Sequence, residues 1–164
     1  MEYQKVTHEF EPIYDEQSKV LILGSLPSVK SREQGFYYGH PQNRFWRVLA
    51  CLTGEEVPVT IQDKKAMLLK HGIAVWDVIE SCDIIGSSDS SIRNVAVNDF
   101  TRILRVVPEI RIFANGTKAW ELYQKYAFPI TGREAMKIPS TSPANAAWSL
   151  EKLCIEWGKL LGLD

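Results

Sequence analysis

The chain has 164 residues, of which 45% are hydrophobic and 24% charged, and a formal net charge of -1 at pH 7. This composition is that of a globular domain and excludes disordered, collagen-like and coiled-coil proteins. A chain of this size buries about 70% of its extended surface on folding, so we predict a single domain over residues 1–164 with a full core.

Apolar runs, helical spacing and capping residues predict alternating strands and helices. In the first half of the chain we predict a strand at 19–25, a polar loop at 26–42, helices at 43–53 and 61–71, a strand at 73–76 and a polar loop at 81–94. In the second half we predict a helix at 99–107 capped by Asn98, a strand at 110–114, a helix at 117–126 and a strand at 135–138. A final helix has an apolar stripe that runs from 150 to 161. Strands separated by helices favour an α/β fold with a parallel sheet. Ligands bind beyond the carboxyl ends of such strands, where we expect Ser25, Asp77 and Asn115.

The cysteines and the N-terminus carry no sign of a secreted or membrane protein. Cys51, Cys82 and Cys154 are widely spaced and form no CxxC motif, which indicates buried, reduced thiols rather than disulfides or a zinc site. No apolar run reaches the roughly 18 residues of a membrane span, and the polar, acidic N-terminus is unlike a signal peptide. We expect a cytoplasmic protein without a membrane partner, metal or cofactor.

Charge is unevenly distributed along this nearly neutral chain. Residues 30–47 have a net charge of +3, and residues 92–137 carry eight bases against four acids. Locally basic loops can bind a polyanion weakly and with salt sensitivity. Ordinary solvated charge explains the same pattern, so both interpretations stay open at this point.

The segment 36–46 contains five aromatic residues, two amides and an arginine. Aromatic side chains stack on flat heterocycles and amides read their hydrogen-bonding edges, which is typical of nucleic-acid recognition. The alternative is that Phe45 and Trp46 belong to the core and that Asn43 only caps its helix. The chain has no phosphate-binding loop, no dinucleotide-binding fingerprint and no GxSxG motif, so those enzyme classes are not indicated.

Ordered motifs over most of the chain resemble the uracil-DNA glycosylase superfamily. Gly-Ser-Leu-Pro-Ser at 24–28, followed by Tyr-Tyr-Gly-His-Pro-Gln-Asn-Arg-Phe-Trp at 37–46, resembles its first motif, and Pro-Ser-Thr-Ser-Pro-Ala-Asn at 139–145 resembles its second. The segments 72–77 and 112–116 resemble its second and third strands. The chain is also similar to the hypoxanthine-DNA glycosylase family, and its Asn-Arg-Phe-Trp resembles the mismatch-specific uracil/thymine branch.

This resemblance implies a three-layer α/β/α sandwich with a central four-stranded parallel sheet. It implies a monofunctional DNA glycosylase that flips deaminated bases, namely hypoxanthine and also uracil or xanthine, out of double-stranded DNA and hydrolyses the N-glycosidic bond in base excision repair. No cofactor and no obligate protein partner are expected. Two alternatives are a mismatch-specific uracil glycosylase and a non-catalytic nucleotide-binding module on the same fold.

The first motif departs from the superfamily pattern. Leu26 stands where most members have Asp or Asn, and Ser25 where others have Glu, so neither can activate water as a carboxylate would. The hypoxanthine branch shares this lack, and the resemblance implies that Asn43 carries catalysis. Ser28 replaces a Gly of that branch, and because Gly tolerates backbone shapes that Ser does not, the loop there could be altered.

The candidate site residues follow from these motifs and from the chemistry of the base. The candidate base-binding residues are Ser25, Leu26, Tyr38, Phe45, Asp77 and Asn115, and the candidate DNA-binding residues are Ser140, Ser142 and Asn145. Asp77 can accept a ring N–H, which hypoxanthine and uracil present beside a carbonyl and which adenine and cytosine lack. Backbone N–H groups at 26–28 suit an anionic base, and the Asn43 amide can hold a water but is a poor base.

Several of these assignments have alternatives. Asp77 could instead cap a loop or pair with Arg93, and Asn115 could serve as a turn or scaffold residue. The segment Ser140–Asn145 is expected to enter the DNA, with Arg133 and Lys137 nearby to neutralise phosphates. A plain strand-to-helix turn is the alternative for this segment, and the loop from Ser87 to Arg93 would then take the insertion role.

Overall fold

The computed structural model describes residues 2–8, 10–26, 28–86 and 88–163, so Pro27 of the first motif and Ser87 lie outside it. The strands are β1 (Gln4–Thr7), β2 (Val20–Gly24), β3 (Ile73–Asp77), β4 (Ile79–Ile84), β5 (Arg93–Val97), β6 (Arg111–Asn115) and β7 (Ala135–Ile138). The helices are α1 (Val29–Gln34), α2 (Phe45–Thr53), α3 (Ile61–Lys70), α4 (Thr101–Leu104), α5 (Thr117–Leu122), α6 (Phe128–Thr131) and α7 (Leu150–Leu161). A 3-10 turn covers Asp89–Ser91, and a π-helical segment, Tyr123–Ala127, joins α5 to α6.

Four parallel strands form the central sheet in the order β3-β2-β6-β7. The interior strand β2 pairs with β3 on one side and with β6 on the other, and all five of its residues are buried. A continuous apolar run is what a parallel strand covered on both faces requires. The predicted α/β fold with a four-stranded parallel sheet is confirmed.

Helices pack along this sheet, with α3 against β3, α5 against β6 and β7, and α7 against β7. The helices α2 and α7 also pack on each other, where the ring of Phe45 meets the ring of Trp157 edge-on at 5.9 Å. Trp157 is fully buried, and its indole N–H donates to the carbonyl of Pro139 at 2.8 Å. This bond fixes the chain as it leaves β7, directly before the second motif.

A second sheet, with the order β1-β4-β5, is antiparallel and was not predicted. The predicted loop at 81–94 is wrong where it overlaps β4 and β5. These strands are short and partly polar, and their pairing has register shifts, so no alternation of apolar and polar residues marks them. Strand β1 pairs with β4 from Gln4–Ile84 to Thr7–Ser81, which brings the N-terminal segment against the end of β3.

Two helical predictions need correction. The predicted loop at 26–42 contains α1, a polar helix whose N-cap is Ser28; the Ser28 hydroxyl accepts the N–H of Ser31 at 3.1 Å. Ser28 has φ -62°, an ordinary value, so this position does not require the Gly of the related branch. The predicted helix at 99–107 shrinks to α4, and Asn98 does not cap it. The Asn98 amide instead donates to the carbonyls of Asp77 and Ile79.

Candidate active site

A cleft of about 1350 Å³ opens at the carboxyl ends of β2, β3, β6 and β7. This volume exceeds that of a typical small-molecule pocket, so it has room for more than one base. Nine of the ten candidate residues line it: Ser25, Leu26, Tyr38, Asn43, Asp77, Asn115, Ser140, Ser142 and Asn145. The tenth, Phe45, does not. Residues far apart in sequence therefore meet at the one edge of the sheet where ligands of such folds bind.

Asp77 ends β3 and lies buried at the cleft, with only 3% of its surface exposed. Its Oδ2 is 2.7 Å from the Nε2 of His8. Its Oδ1 occupies the space beside Gly24, because a Cβ at Gly24 would lie 2.3 Å from Oδ1 and 3.2 Å from the Tyr38 hydroxyl. Only a glycine fits at the end of β2, and its lack of a side chain lets the carboxylate reach this position.

Tyr38 presents the aromatic surface of the cleft. Its ring stacks on Phe45 with centroids 3.9 Å apart, and Phe45 is fully buried beneath it. Phe45 therefore belongs to the core, which was the alternative to its role as a base-binding residue. It can affect a bound base only through the Tyr38 ring that covers it. Tyr38 has φ +52°, a conformation uncommon for an aromatic residue, which turns its ring onto Phe45.

The Tyr38 hydroxyl is buried and has no hydrogen-bond partner among the described residues. Burial, followed by the negative charge of Asp77, raises the pKa of Tyr38 well above its ordinary value. Asn115 lies near enough to oppose this rise, but its amide makes no hydrogen bond of normal geometry to the hydroxyl. A neutral O–H group is thus held near the Asp77 carboxylate without a hydrogen bond to it.

Asn43 lies two residues before α2, whose N-cap is Arg44, and lines the cleft. Its Oδ1 accepts the N–H of Phe45, the first residue of α2, at 2.9 Å, so the side chain caps an N–H of the first turn although the N-cap position itself is Arg44. Capping does not exclude a role in the reaction, because an amide oxygen has a second lone pair and the amide N–H groups stay available. The cap instead fixes the orientation of the side chain.

Asn115, at the end of β6, joins this strand to the second motif. Its Nδ2 donates to the hydroxyl of Thr141 at 3.0 Å, and its Oδ1 accepts the backbone N–H of Thr141 at 3.1 Å. Thr141 is fully buried. Both ends of the Asn115 amide are engaged within the protein, which favours the scaffold role over direct contact with a base.

The loop at 140–145 is folded by its own polar side chains. The Ser140 hydroxyl accepts the N–H of Ser142, the Ser142 hydroxyl accepts the N–H of Ala144, and the Asn145 amide donates to the carbonyl of Ser140. Pro143 and Ala144 are exposed at its tip. The three candidate DNA-binding side chains therefore shape the loop, and its tip is apolar.

Arg44 holds this loop in place, a role that the sequence did not suggest. Its backbone N–H and its guanidinium both contact the carbonyl of Thr141, and the guanidinium also donates to the carbonyls of Ser142, Asn145 and Trp148. A planar guanidinium with five donors suits such a set of acceptors. Arg44 follows Asn43 directly, so one segment orients the Asn43 amide and fixes the second motif.

His8 was also missed. The sequence separates it from Asp77 by 69 positions, and only the pairing of β1 with β4 brings the two together. The alternative partner Arg93 lies elsewhere, with its guanidinium 3.5 Å from the ring centroid of Tyr3. No local signal in the sequence could have found this pair.

The cleft lining is mixed in charge, with four basic and three acidic side chains. The basic residues are Lys30, Arg32, Lys118 and Lys137, and the acidic residues are Asp77, Asp89 and Glu156. The expectation that Arg133 lies near the second motif is wrong. Its guanidinium donates to the carbonyls of Pro108 and Ile110, next to the amino end of β6 and opposite the cleft.

The described residues contain no group of three or more His, Cys, Asp or Glu side chains that could hold a metal ion. All three cysteines are free, and Cys82 and Cys154 are buried as predicted, whereas Cys51 is exposed. Among the helices within the described ranges, none is both long and apolar enough to cross a membrane.

Comparison with known proteins agrees with the motifs and with the cleft. Residues 11–157 match a model of the uracil DNA glycosylase superfamily. Over 142 residues the chain is 39% identical to a hypoxanthine DNA glycosylase of Methanosarcina acetivorans, covering 85% of this chain and 89% of that protein. It is 35% identical to a hypoxanthine DNA glycosylase of Methanosarcina barkeri, covering 83% of this chain and 86% of that protein.

A more distant relative and a solved structure extend the comparison. The chain is 29% identical to a G/U mismatch-specific uracil DNA glycosylase of Schizosaccharomyces pombe, over 77% of this chain and 38% of that protein. Its fold is similar to the solution NMR structure of a candidate uracil DNA glycosylase from Methanosarcina acetivorans, with a TM-score of 0.81 and 35% identity. That superposition covers 98% of this chain and 99% of the other.

Proposed function

Since this chain belongs to the uracil DNA glycosylase superfamily and is a DNA glycosylase, we propose that it flips hypoxanthine out of double-stranded DNA and hydrolyses its N-glycosidic bond. The substrate follows the two hypoxanthine DNA glycosylases that the chain resembles over most of its length. Its enzyme class sets aside the alternative of a non-catalytic nucleotide-binding module.

The observation that carries this proposal is the buried Asp77 carboxylate at the cleft. With Oδ2 bonded to His8, Oδ1 is the acceptor left to face a ligand. Hypoxanthine presents a ring N–H, which complements this acceptor. Adenine has an unprotonated ring nitrogen where hypoxanthine has the N–H. This nitrogen and the Asp77 carboxylate are both acceptors, so with adenine bound both would lack a donor.

Asp77 contributes to choosing the base rather than to accelerating its release. Breaking the N-glycosidic bond leaves negative charge on the base, which a carboxylate nearby disfavours. Stabilisation of that charge is assigned to the backbone after β2, where the N–H of Leu26 donates to no other described residue. Ser25 and Leu26 line this end of the cleft.

Asn43 is the proposed catalytic residue. An amide is too weak a base to take a proton from water, so its contribution is to hold one water through its free lone pair against the sugar. Its cap on α2 gives the amide one orientation before substrate arrives. Positioning of this kind is worth orders of magnitude in rate when the geometry is fixed.

Tyr38 is proposed to stack on the flipped base, with Phe45 as the support behind it. The loop at 140–145 is proposed to enter the duplex where the base leaves. An apolar tip made of Pro143 and Ala144 suits the space between base pairs, as in proteins that wedge apolar side chains into DNA. The lysines and arginine at the cleft would neutralise neighbouring phosphates.

Uracil opposite guanine is the second candidate substrate. Uracil also presents a ring N–H beside a carbonyl, and one relative is a G/U mismatch-specific enzyme. Both lesions form mismatches, which reduce the free energy needed to flip the base. Release from duplexes containing hypoxanthine, uracil, xanthine or ethenoadenine, detected as strand breakage in alkali, would rank these substrates.

The test of the proposal is Asn43→Ala. We expect single-turnover release of hypoxanthine from a duplex to fall about 100-fold or more, because the water is no longer positioned. Loss of the cap should reduce stability by only about 1 kcal/mol. Thr60→Ala is the matched control, since Thr60 caps α3 through the N–H of Asp63 and lies outside the cleft. If both variants keep the wild-type rate, Asn43 is only a helix cap.

A further inference from the structure

The N-terminal segment supplies a buried histidine to the base-reading end of the cleft. Strand β1 pairs with β4, the N–H of His8 donates to the carbonyl of Glu80 at 2.6 Å, and Ile13 pairs with Val75 through two backbone hydrogen bonds. His8 and residues 10–13 therefore lie alongside the end of β3, with the His8 ring against Asp77. We propose that His8 is a positioning residue that fixes the Asp77 carboxylate for recognition of the base.

The hydrogen bonds of His8 define its tautomer. The backbone N–H of Phe10 donates to Nδ1 at 3.1 Å, so Nδ1 is an acceptor and carries no proton. The proton of the neutral ring is then on Nε2, which donates to Asp77 Oδ2 at 2.7 Å. A ring protonated on both nitrogens would set an N–H against the N–H of Phe10.

The ring of His8 has little freedom to move. Its side chain is 1% exposed, and it packs against the rings of Phe10 and Tyr37 with centroids 5.3 and 5.8 Å away. Tyr37 in turn donates to the carbonyl of Glu11 at 2.9 Å, which holds the same segment. A donor fixed in this way keeps one carboxylate oxygen occupied and leaves Oδ1 as the acceptor beside Tyr38.

The consequence rests on the proposed function. If Asp77 accepts the ring N–H of hypoxanthine, its plane must be fixed before the base arrives, because a carboxylate free to rotate loses the directional hydrogen bond. His8 supplies this constraint without touching the base. It acts through Asp77 and is therefore not a catalytic residue.

Three substitutions of His8 separate its two hydrogen bonds. Gln places an N–H donor near the position of Nε2, so His8→Gln retains the bond to Asp77. Asn reaches only the position of Nδ1, so His8→Asn retains the bond to Phe10 and loses the one to Asp77. His8→Leu removes both. We expect hypoxanthine release to stay within about threefold of the wild type for His8→Gln and to fall roughly 10- to 100-fold for the other two.

Stability is controlled with a variant of the same segment. Ile13→Ala removes buried methyl groups that hold residues 10–13 in place, but it leaves the imidazole and the cleft unchanged. We expect Ile13→Ala to lower the unfolding temperature and to retain the base preference of the wild type. Equal rates for wild type, His8→Gln and His8→Asn would overturn the inference.

A spectroscopic measurement tests the hydrogen bond without activity. Long-range ¹H–¹⁵N correlation spectra of the free protein distinguish the tautomers of its three histidines. We expect His8 to be neutral with its proton on Nε2, and an Nδ1-protonated ring would overturn the inference. If the wild type leaves hypoxanthine duplexes intact, the proposed substrate fails, and the His8 series is then measured on a uracil duplex.

Discussion

At the scale of single residues, the two oxygens of Asp77 have different partners, and Asp77→Asn separates them. The Asn oxygen can still accept from His8, which leaves an NH₂ group beside Tyr38 where the acceptor was. This group opposes a ring N–H instead of accepting it. We expect hypoxanthine release to fall roughly 10- to 100-fold, whereas affinity for undamaged duplex stays nearly unchanged.

Single-turnover rates and dissociation constants for the same duplexes test this expectation. Asp83→Asn is the control, because Asp83 lies on β4 outside the cleft and accepts from the exposed Asn94 of β5. If release by Asp77→Asn falls only as far as DNA affinity does, Asp77 does not select the base.

Residue-level prediction worked where a strand end determines the position of a side chain. Asp77 and Asn115 were placed at the cleft because parallel strands end at a common edge. His8 could not be predicted, since its place depends on the pairing of two polar strands distant in sequence. Phe45 was assigned to the base because the sequence shows an aromatic cluster but not that the Tyr38 ring covers it.

At the scale of elements, Arg44 connects the start of α2 to the loop at 140–145. We expect Arg44→Ala to lower both duplex affinity and release of hypoxanthine from duplex by about tenfold, because several carbonyls lose their donor and the loop loses its shape. Release from single-stranded substrate should fall less, since no base must be flipped from a stack. Arg44→Lys should resemble Arg44→Ala, because an ammonium cannot donate to so many carbonyls at once.

The neighbouring Arg47 offers a matched control on the same helix. It is exposed, and it makes only long contacts to the carbonyls of Gln42 and Asn43. Arg47→Ala should retain loop-dependent release. If Arg44→Ala loses activity equally on duplex and single strand, the insertion role belongs to another segment, and the loop that includes Asp89 at the cleft is the next candidate.

Elements marked by an apolar run, an apolar stripe or a capping residue were predictable, and polar elements without these signals were not. Strands β2, β3 and β6 were found because each is a short apolar run, β7 as a weaker run at the sheet edge, and α7 because of its apolar stripe. Strands β1, β4 and β5 and helix α1 are polar on much of their surface, so no period marks them. The base-reading end of the cleft is built from both kinds of element. Asp77 on β3 was therefore predicted, whereas His8, which follows β1, was not.

At the scale of the whole molecule, buried tyrosines link folding to alkaline pH. Burial raises the pKa of Tyr37, Tyr38 and Tyr123 above the ordinary value near 10. In the unfolded chain these hydroxyls lose their protons above about pH 10, whereas in the native protein they retain them. Since the native state then binds more protons, its stability is complete below about pH 10 and falls as pH rises further.

Each such tyrosine removes up to about 1.4 kcal/mol of stability per pH unit in this range. Urea unfolding from about pH 9 to about pH 11 should therefore show a falling free energy of unfolding, and Tyr37→Phe should reduce the slope by about half a proton on average and by close to one proton near pH 11. Comparing this variant with the wild type removes the contribution of lysines and cysteines that titrate in the same range. The absorbance of tyrosinate should rise together with unfolding for these side chains. If Tyr37→Phe leaves the slope unchanged, Tyr37 already ionises in the native protein. Its burial between His8 and Phe10 is then not maintained in solution.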